Sequence, residues 1–149
     1  MPSLASYRGE GGIAIIGCTG KIGLERLRLS IDSLLNDLVN SLDDATGAIL
    51  VAVDGEAVQW GTTHQHSERL RLRSAYVAVV MQTFRAAAGR AGLGHLQHLV
   101  VEYKGATLIA QEIDDDCSVI LELRANGSVS RAVHRMQRTV VRLREEIKL

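Results

Sequence analysis

The side chains of this 149-residue chain that are capable of chemistry fall into a few groups. The glycine-rich run Ile13–Gly23 (IAIIGCTGKIG) invites a phosphate-binding reading. A P-loop, however, needs glycine where Ile15 stands and serine or threonine after Lys21, where Ile22 stands. The spacing Gly17-x-x-Gly20-x-x-Gly23 is only loosely that of a dinucleotide fingerprint, and the pattern that follows it is not βαβ. The histidines occur as His64-x-His66, His95-x-x-His98 and a solitary His134. None has the convergent cysteine or acid that a metal site requires, so solvated loop and surface positions are expected, with no metal and no cofactor. Asp114-Asp115-Asp116 reads as a charged hairpin turn, because three consecutive acids cannot converge on one calcium ion and the twelve-residue loop pattern is absent. Cys18 and Cys117 lack CxxC or Cys/His spacing; the alternatives are one unforced long-range disulfide and two reduced thiols, and the second is expected. No serine or cysteine occupies a GxSxG-like elbow and no carboxylate pair stands out. No catalytic residues are expected: the chain does not read as an enzyme.

One charge pattern is harder to set aside. Arg131, Arg135, Arg138 and Arg142 share about 60° of arc on a helix, opposite its apolar stripe. The plain reading is a solvated face, partly offset by Glu145 and Glu146; the functional one is a surface for an acidic partner or an anionic membrane.

Composition narrows the field further. The chain is 46% apolar, 23% charged and 3% aromatic, with a formal net charge of zero. Zero charge argues against broad capture of nucleic acid, and scarce aromatics argue against base stacking. No apolar run approaches the ~20 residues of a membrane span, and the N-terminus lacks the pattern of a signal peptide. A soluble, cytoplasmic chain that does not associate with membranes is expected, with one domain built from Leu, Val, Ile and Ala.

The elements that position these residues follow from periodicity. Residues 1–23 are rich in glycine, carry the only proline and read as a flexible arm with room for a short added strand. The domain proper spans residues 24–149. From Leu24 to Leu42 the apolar residues fall within an arc of about 140°, predicting a one-sided helix. Ala48–Val53 and Ala57–Gly61 flank Asp54-Gly55, a strong hairpin signal. Ser67–Arg90 is a second helix, stopped by Gly92 and Gly94. Strands are then predicted at Leu96–Lys104, Ala106–Ile113 and Cys117–Leu123. Asn126-Gly127-Ser128 opens a last helix running to about Ile147. The short connections imply an antiparallel sheet whose two faces share three helices.

The second helix is the informative one. Arg71, Ser74, Ala78, Gln82 and Arg85 occupy a narrow sector that is expected to face solvent, while apolar residues spread over about 220°. One sheet face consumes roughly half of that arc. The remainder must be covered by a second copy of the chain across a two-fold axis, or by an N-terminal strand or loop.

The order α-β-β-α-β-β-β-α, together with the hairpin Gly47–Gly61, the strand pair Leu99–Ile113 and the Asn126–Met136 turn into the last helix, resembles the roadblock/dynein light chain family. The resemblance implies an α+β, profilin-like or longin-like sandwich with a five-stranded antiparallel sheet and helices on both faces. It implies a non-catalytic homodimer in which the strand after the central helix pairs with its twin and the central helices lie side by side. In this chain that interface would take Tyr76, Val80 and Phe84 from the helix and Leu96, His98, Val100 and Glu102 from the strand region. The resemblance further implies that a small Ras-like GTPase docks on the dimer, most naturally at Arg71, Gln82 and Arg85, and that the module modulates its nucleotide state or location in signalling. The competing readings are a structural adaptor of a larger motor or signalling complex with no GTPase partner, and a ligand sensor with a PAS-like cavity. The last would need polar residues inside the sheet, and Ala48–Val53 and Ser118–Leu121 offer few.

Overall fold

The computed structural model describes residues 5–9, 12–16, 21–62 and 67–147. Two strands, β1 (Ala5–Gly9) and β2 (Gly12–Ile16), form an antiparallel hairpin of their own. They are followed by α1 (Lys21–Asn40), β3 (Ala45–Ala52), β4 (Ala57–Thr62), α2 (Ser67–Ala91), β5 (Leu99–Glu102), β6 (Ala106–Glu112), β7 (Cys117–Arg124) and α3 (Val129–Ile147). The last five strands make one antiparallel sheet in the order β4-β3-β7-β6-β5. The expected α+β sandwich with a five-stranded antiparallel sheet is therefore the fold. The sheet is antiparallel throughout, so no βαβ unit follows the glycine-rich run.

The centre of the sheet is apolar on both faces because both faces are covered. Cys117 to Leu123 of β7 are buried without a break, as are Gly47 to Val51 of β3. On one face, Ile31, Leu35, Leu38 and Val39 of α1 and Ala132, Met136, Val140 and Leu143 of α3 close over Leu50, Ile109, Val119 and Leu121. On the other, Leu70, Val77, Ala78 and Met81 of α2 close over Ile49, Val51, Leu108, Ala110 and Ile120. Side chains one residue apart thus go to opposite cores, as a pleated strand requires.

Two local devices fix the helix positions. Asn126 adopts a positive φ of 65°, and the Asp44 carboxylate accepts the Ser128 N–H at 2.6 Å, tying the start of α3 to the end of the α1–β3 connection. A Cβ on Gly127 would meet Asp44 Oδ2 at 2.8 Å, which is why the turn reads Asn-Gly-Ser. Gly55, with φ of 88°, lets the β3–β4 turn approach Ala75 of α2, where an added Cβ would sit 3.3 Å from the Ala75 Cα.

Three element starts differ from expectation by three residues, and the other bounds differ by two or fewer. Helix α1 begins at Lys21 rather than Leu24, β3 begins at Ala45 rather than Ala48, and β5 is confined to Leu99–Glu102 rather than Leu96–Lys104. The β5 run is apolar enough for a longer strand, but the register with β6 pairs only Leu99–Glu102 with Thr107–Ala110. Period alone does not reveal where a partner strand stops.

Candidate functional site

Helix α2 buries one stripe and exposes another. Leu70, Ser74, Val77, Ala78, Met81 and Ala88 face the sheet, all at 9% exposure or less. Leu72, Tyr76, Val79, Val80 and Phe84 are exposed, Tyr76 at 68% and Phe84 at 49%. The sector expected to face solvent is therefore corrected: Ser74 and Ala78 lie against the sheet. Their small side chains let the helix backbone sit close to the strands beside Leu70, Val77 and Met81, while a second set of large apolar residues is turned outward. Burial of small residues beneath a large exposed apolar face is the reverse of a monomeric surface helix.

The basic residues near that buried stripe act as anchors. Arg85 Nε donates to Glu112 Oε1 at 2.8 Å, and its Nη1 donates to the Asp115 carbonyl at 3.3 Å. The Gln82 side-chain amide donates to the Val53 carbonyl. Arg73 reaches Glu122, a residue 2% exposed on the central strand β7, with Nη1 to Oε2 at 2.7 Å. Thr46 Oγ1 donates to the other carboxylate oxygen at 2.7 Å, and Arg69 lies at 4.0 Å. A carboxylate in an apolar sheet is costly to desolvate unless charge-assisted hydrogen bonds offset the loss. Glu122 therefore locks α2 in register over the sheet. Sequence reasoning missed it, although a single acid between Leu121 and Leu123 in an otherwise apolar strand, with Arg69 and Arg73 one helical turn apart, is a detectable signal.

Beside this helix lies the edge of the sheet. Among the described residues β5 has one hydrogen-bonded neighbour, β6, so its outer edge is unpaired. Tyr76, Val77 and Val80 of α2 form one wall of an apolar groove of about 490 Å³. Its other side is made by Val101, Tyr103, Ala106 and Leu108 of the β5–β6 hairpin, with Arg73 at the rim. Of the strand residues expected at the dimer interface, Val100 is half-buried against the core under α1 and α3, while Glu102 is exposed. Leu96 and His98 precede β5: Leu96 packs against the α2 core and His98 is exposed. The structure thus brings Tyr76 and Val80 to the groove beside β5, with Phe84 further along the same helix. Arg71 is exposed on the same helix, and Gln82 and Arg85 hydrogen-bond to Val53 and Glu112.

The remaining candidates are dispersed. His95 is exposed in the α2–β5 connection and His134 is exposed on α3, while His64 and His66 lie outside the described residues. The Asp114 carboxylate accepts the N–H groups of Asp116 and Cys117 at 2.8 and 2.9 Å, which is the work of a hairpin turn. Arg144 fastens α3 to the same turn, its Nε donating to the Ile113 carbonyl at 2.8 Å. Burial pushes the Cys117 thiol well above the ordinary range, and Asp114 and Asp116 push it further. Cys18 and the glycines at 17 and 20 lie outside the described residues. Arg131, Arg135, Arg138 and Arg142 are all exposed on α3. Among the described residues no group of three His, Cys, Asp or Glu could hold a metal ion, and no helix is long and apolar enough to cross a membrane.

No family model and no curated protein matches the sequence. Solved structures do match the fold. A roadblock/LC7 domain from Streptomyces avermitilis is 19% identical, with a TM-score of 0.70 over 79% of this chain and 98% of its own. The gliding protein MglB from Thermus thermophilus is 14% identical, with a TM-score of 0.72 over 82% of this chain and 91% of its own. An MglB in a tetrameric arrangement is 16% identical, with a TM-score of 0.72 over 99% of this chain and 97% of its own. The likeness rests on the five-stranded sheet with α1 and α3 on one face and α2 on the other: the chain has the roadblock/LC7 fold.

Proposed function

We propose that this chain is a non-catalytic roadblock-type module that forms a homodimer and regulates a small Ras-like GTPase. The observation that carries the reading is the outward apolar face of α2, running beside the unpaired edge of β5. An exposed strand edge next to exposed Tyr76, Val80 and Phe84 is an aggregation hazard unless something covers it. A second copy covers both at once, extending the sheet edge to edge and laying α2 against its twin. A closed two-fold contact also leaves no open edge to propagate. An MglB with this fold in a tetrameric arrangement supports self-association as a property open to it.

In the dimer, the flank of α2 that carries Arg71 and Gln82, away from the Tyr76, Val80 and Phe84 contact, forms the platform for the GTPase, with Arg85 at its margin. Regulation then works by differential binding: docking that favours one nucleotide state shifts the partner toward it. The test is a pull-down of candidate small GTPases loaded with GDP or with a non-hydrolysable GTP analogue. State-dependent capture that weakens in Arg71→Glu supports the reading. Equal or absent capture in both states overturns it in favour of an adaptor without a GTPase partner.

A further inference from the structure

On the face of the sheet opposite α2, helix α3 carries a second surface. Arg131, Arg135, Arg138 and Arg142 are all exposed, and among the described residues none has a carboxylate partner. Their spacing is four, three and four residues, the seam period of two helices packed side by side, so the guanidinium groups stay in line along the axis for about 16 Å. The line is narrow, about 60° of arc, and has no acid within it; Glu145 and Glu146 lie beyond its C-terminal end. The apolar stripe of α3 is wholly used in the core, through Ala132, Met136, Val140, Leu143 and Ile147. Contact at the arginine line is therefore chiefly electrostatic, with the exposed Val141 at its side.

We propose that this line is a docking seam for an acidic helical segment of another protein, one presenting carboxylates at the complementary four-three-four spacing. Guanidinium groups pair bidentately with carboxylates, and a row of them in register recognises a row of acids on a facing helix. A membrane fits less well. A flat anionic surface meets a broad arc, and the exposed positions beside the line are Val141, His134, Gln137 and Glu145 rather than further cations. The seam lies away from the α2 platform, so its occupancy stands independently of the proposed dimer and GTPase.

The test uses the full chain and a fluorescein-labelled helical peptide with glutamates at four-three-four spacing, followed by fluorescence anisotropy at low salt. A control peptide of the same composition places its glutamates around the helix. Saturable binding is expected, at least about tenfold weaker in both R135E/R138E and R135A/R138A, weaker for the control peptide and weakened by salt. Far-UV circular dichroism matching the unsubstituted chain checks that each variant is folded, and the alanine pair removes the charges without reversing them. Absent binding, equal affinity for the two peptides, or unchanged affinity in the folded variants overturns the seam. Arginine-dependent sedimentation with phosphatidylserine vesicles, in place of peptide binding, assigns the line to a membrane and overturns it as well.

Discussion

The two faces of the sheet are covered by helices of opposite character. Helix α3 is one-sided: its apolar stripe lies wholly in the core and the arc left over carries arginines. Helix α2 is two-sided: Leu70, Ser74, Val77, Ala78 and Met81 go inward, while Leu72, Tyr76, Val79, Val80 and Phe84 go outward. The first is explained by the fold of a single chain. The second is not, because an apolar face of that size on a monomer costs solubility and returns no packing. The contrast separates the helix that a single chain satisfies from the helix whose outer face it leaves open.

Substitutions on the two faces should therefore have separable effects. Leu143→Ala, at a residue with no exposure under α3, should lower unfolding stability by about 3 kcal/mol, read from urea unfolding, without changing self-association of the folded fraction. Arg73→Ala should cost about 2 kcal/mol, less than breaking a fully buried pair because the Arg73 side chain is 37% exposed while the stranded Glu122 is not. Its second consequence is a looser seat for α2, visible as faster amide exchange along that helix. Phe84→Ser should change the concentration-independent part of stability by no more than about 0.5 kcal/mol, yet weaken self-association measurably by sedimentation velocity. A Phe84→Ser chain that unfolds as readily as Leu143→Ala would erase the distinction between the faces.

Much of this division is legible in the sequence, and the parts that are not have physical reasons. Element order, the hairpin at Asp54-Gly55 and the one-sided stripe of α3 all follow from local periodicity and turn chemistry. The width of the apolar arc on α2 by itself calls for a second covering surface. The orientation of α2 is not legible, because rotation about the helix axis is set by shape. Ser74 and Ala78 pack inward for their size, although polarity assigns their sector to solvent. The Glu122 network escapes for a related reason, since its partners Arg73 and Thr46 are far away in sequence and meet only when β3, β7 and α2 stack. The shortness of β5 reflects pairing with β6, which composition does not encode.

On the proposed reading, the outward face of α2 is an interface between two copies of this chain. Light scattering coupled to size exclusion tests it most directly, on the unsubstituted chain at tens of micromolar and on Val80→Glu, with circular dichroism as the check on folding. Twice the chain mass is expected for the first and a folded chain of single mass for the second. A folded monomer in the unsubstituted chain, or a dimer that survives glutamate at position 80, would contradict it.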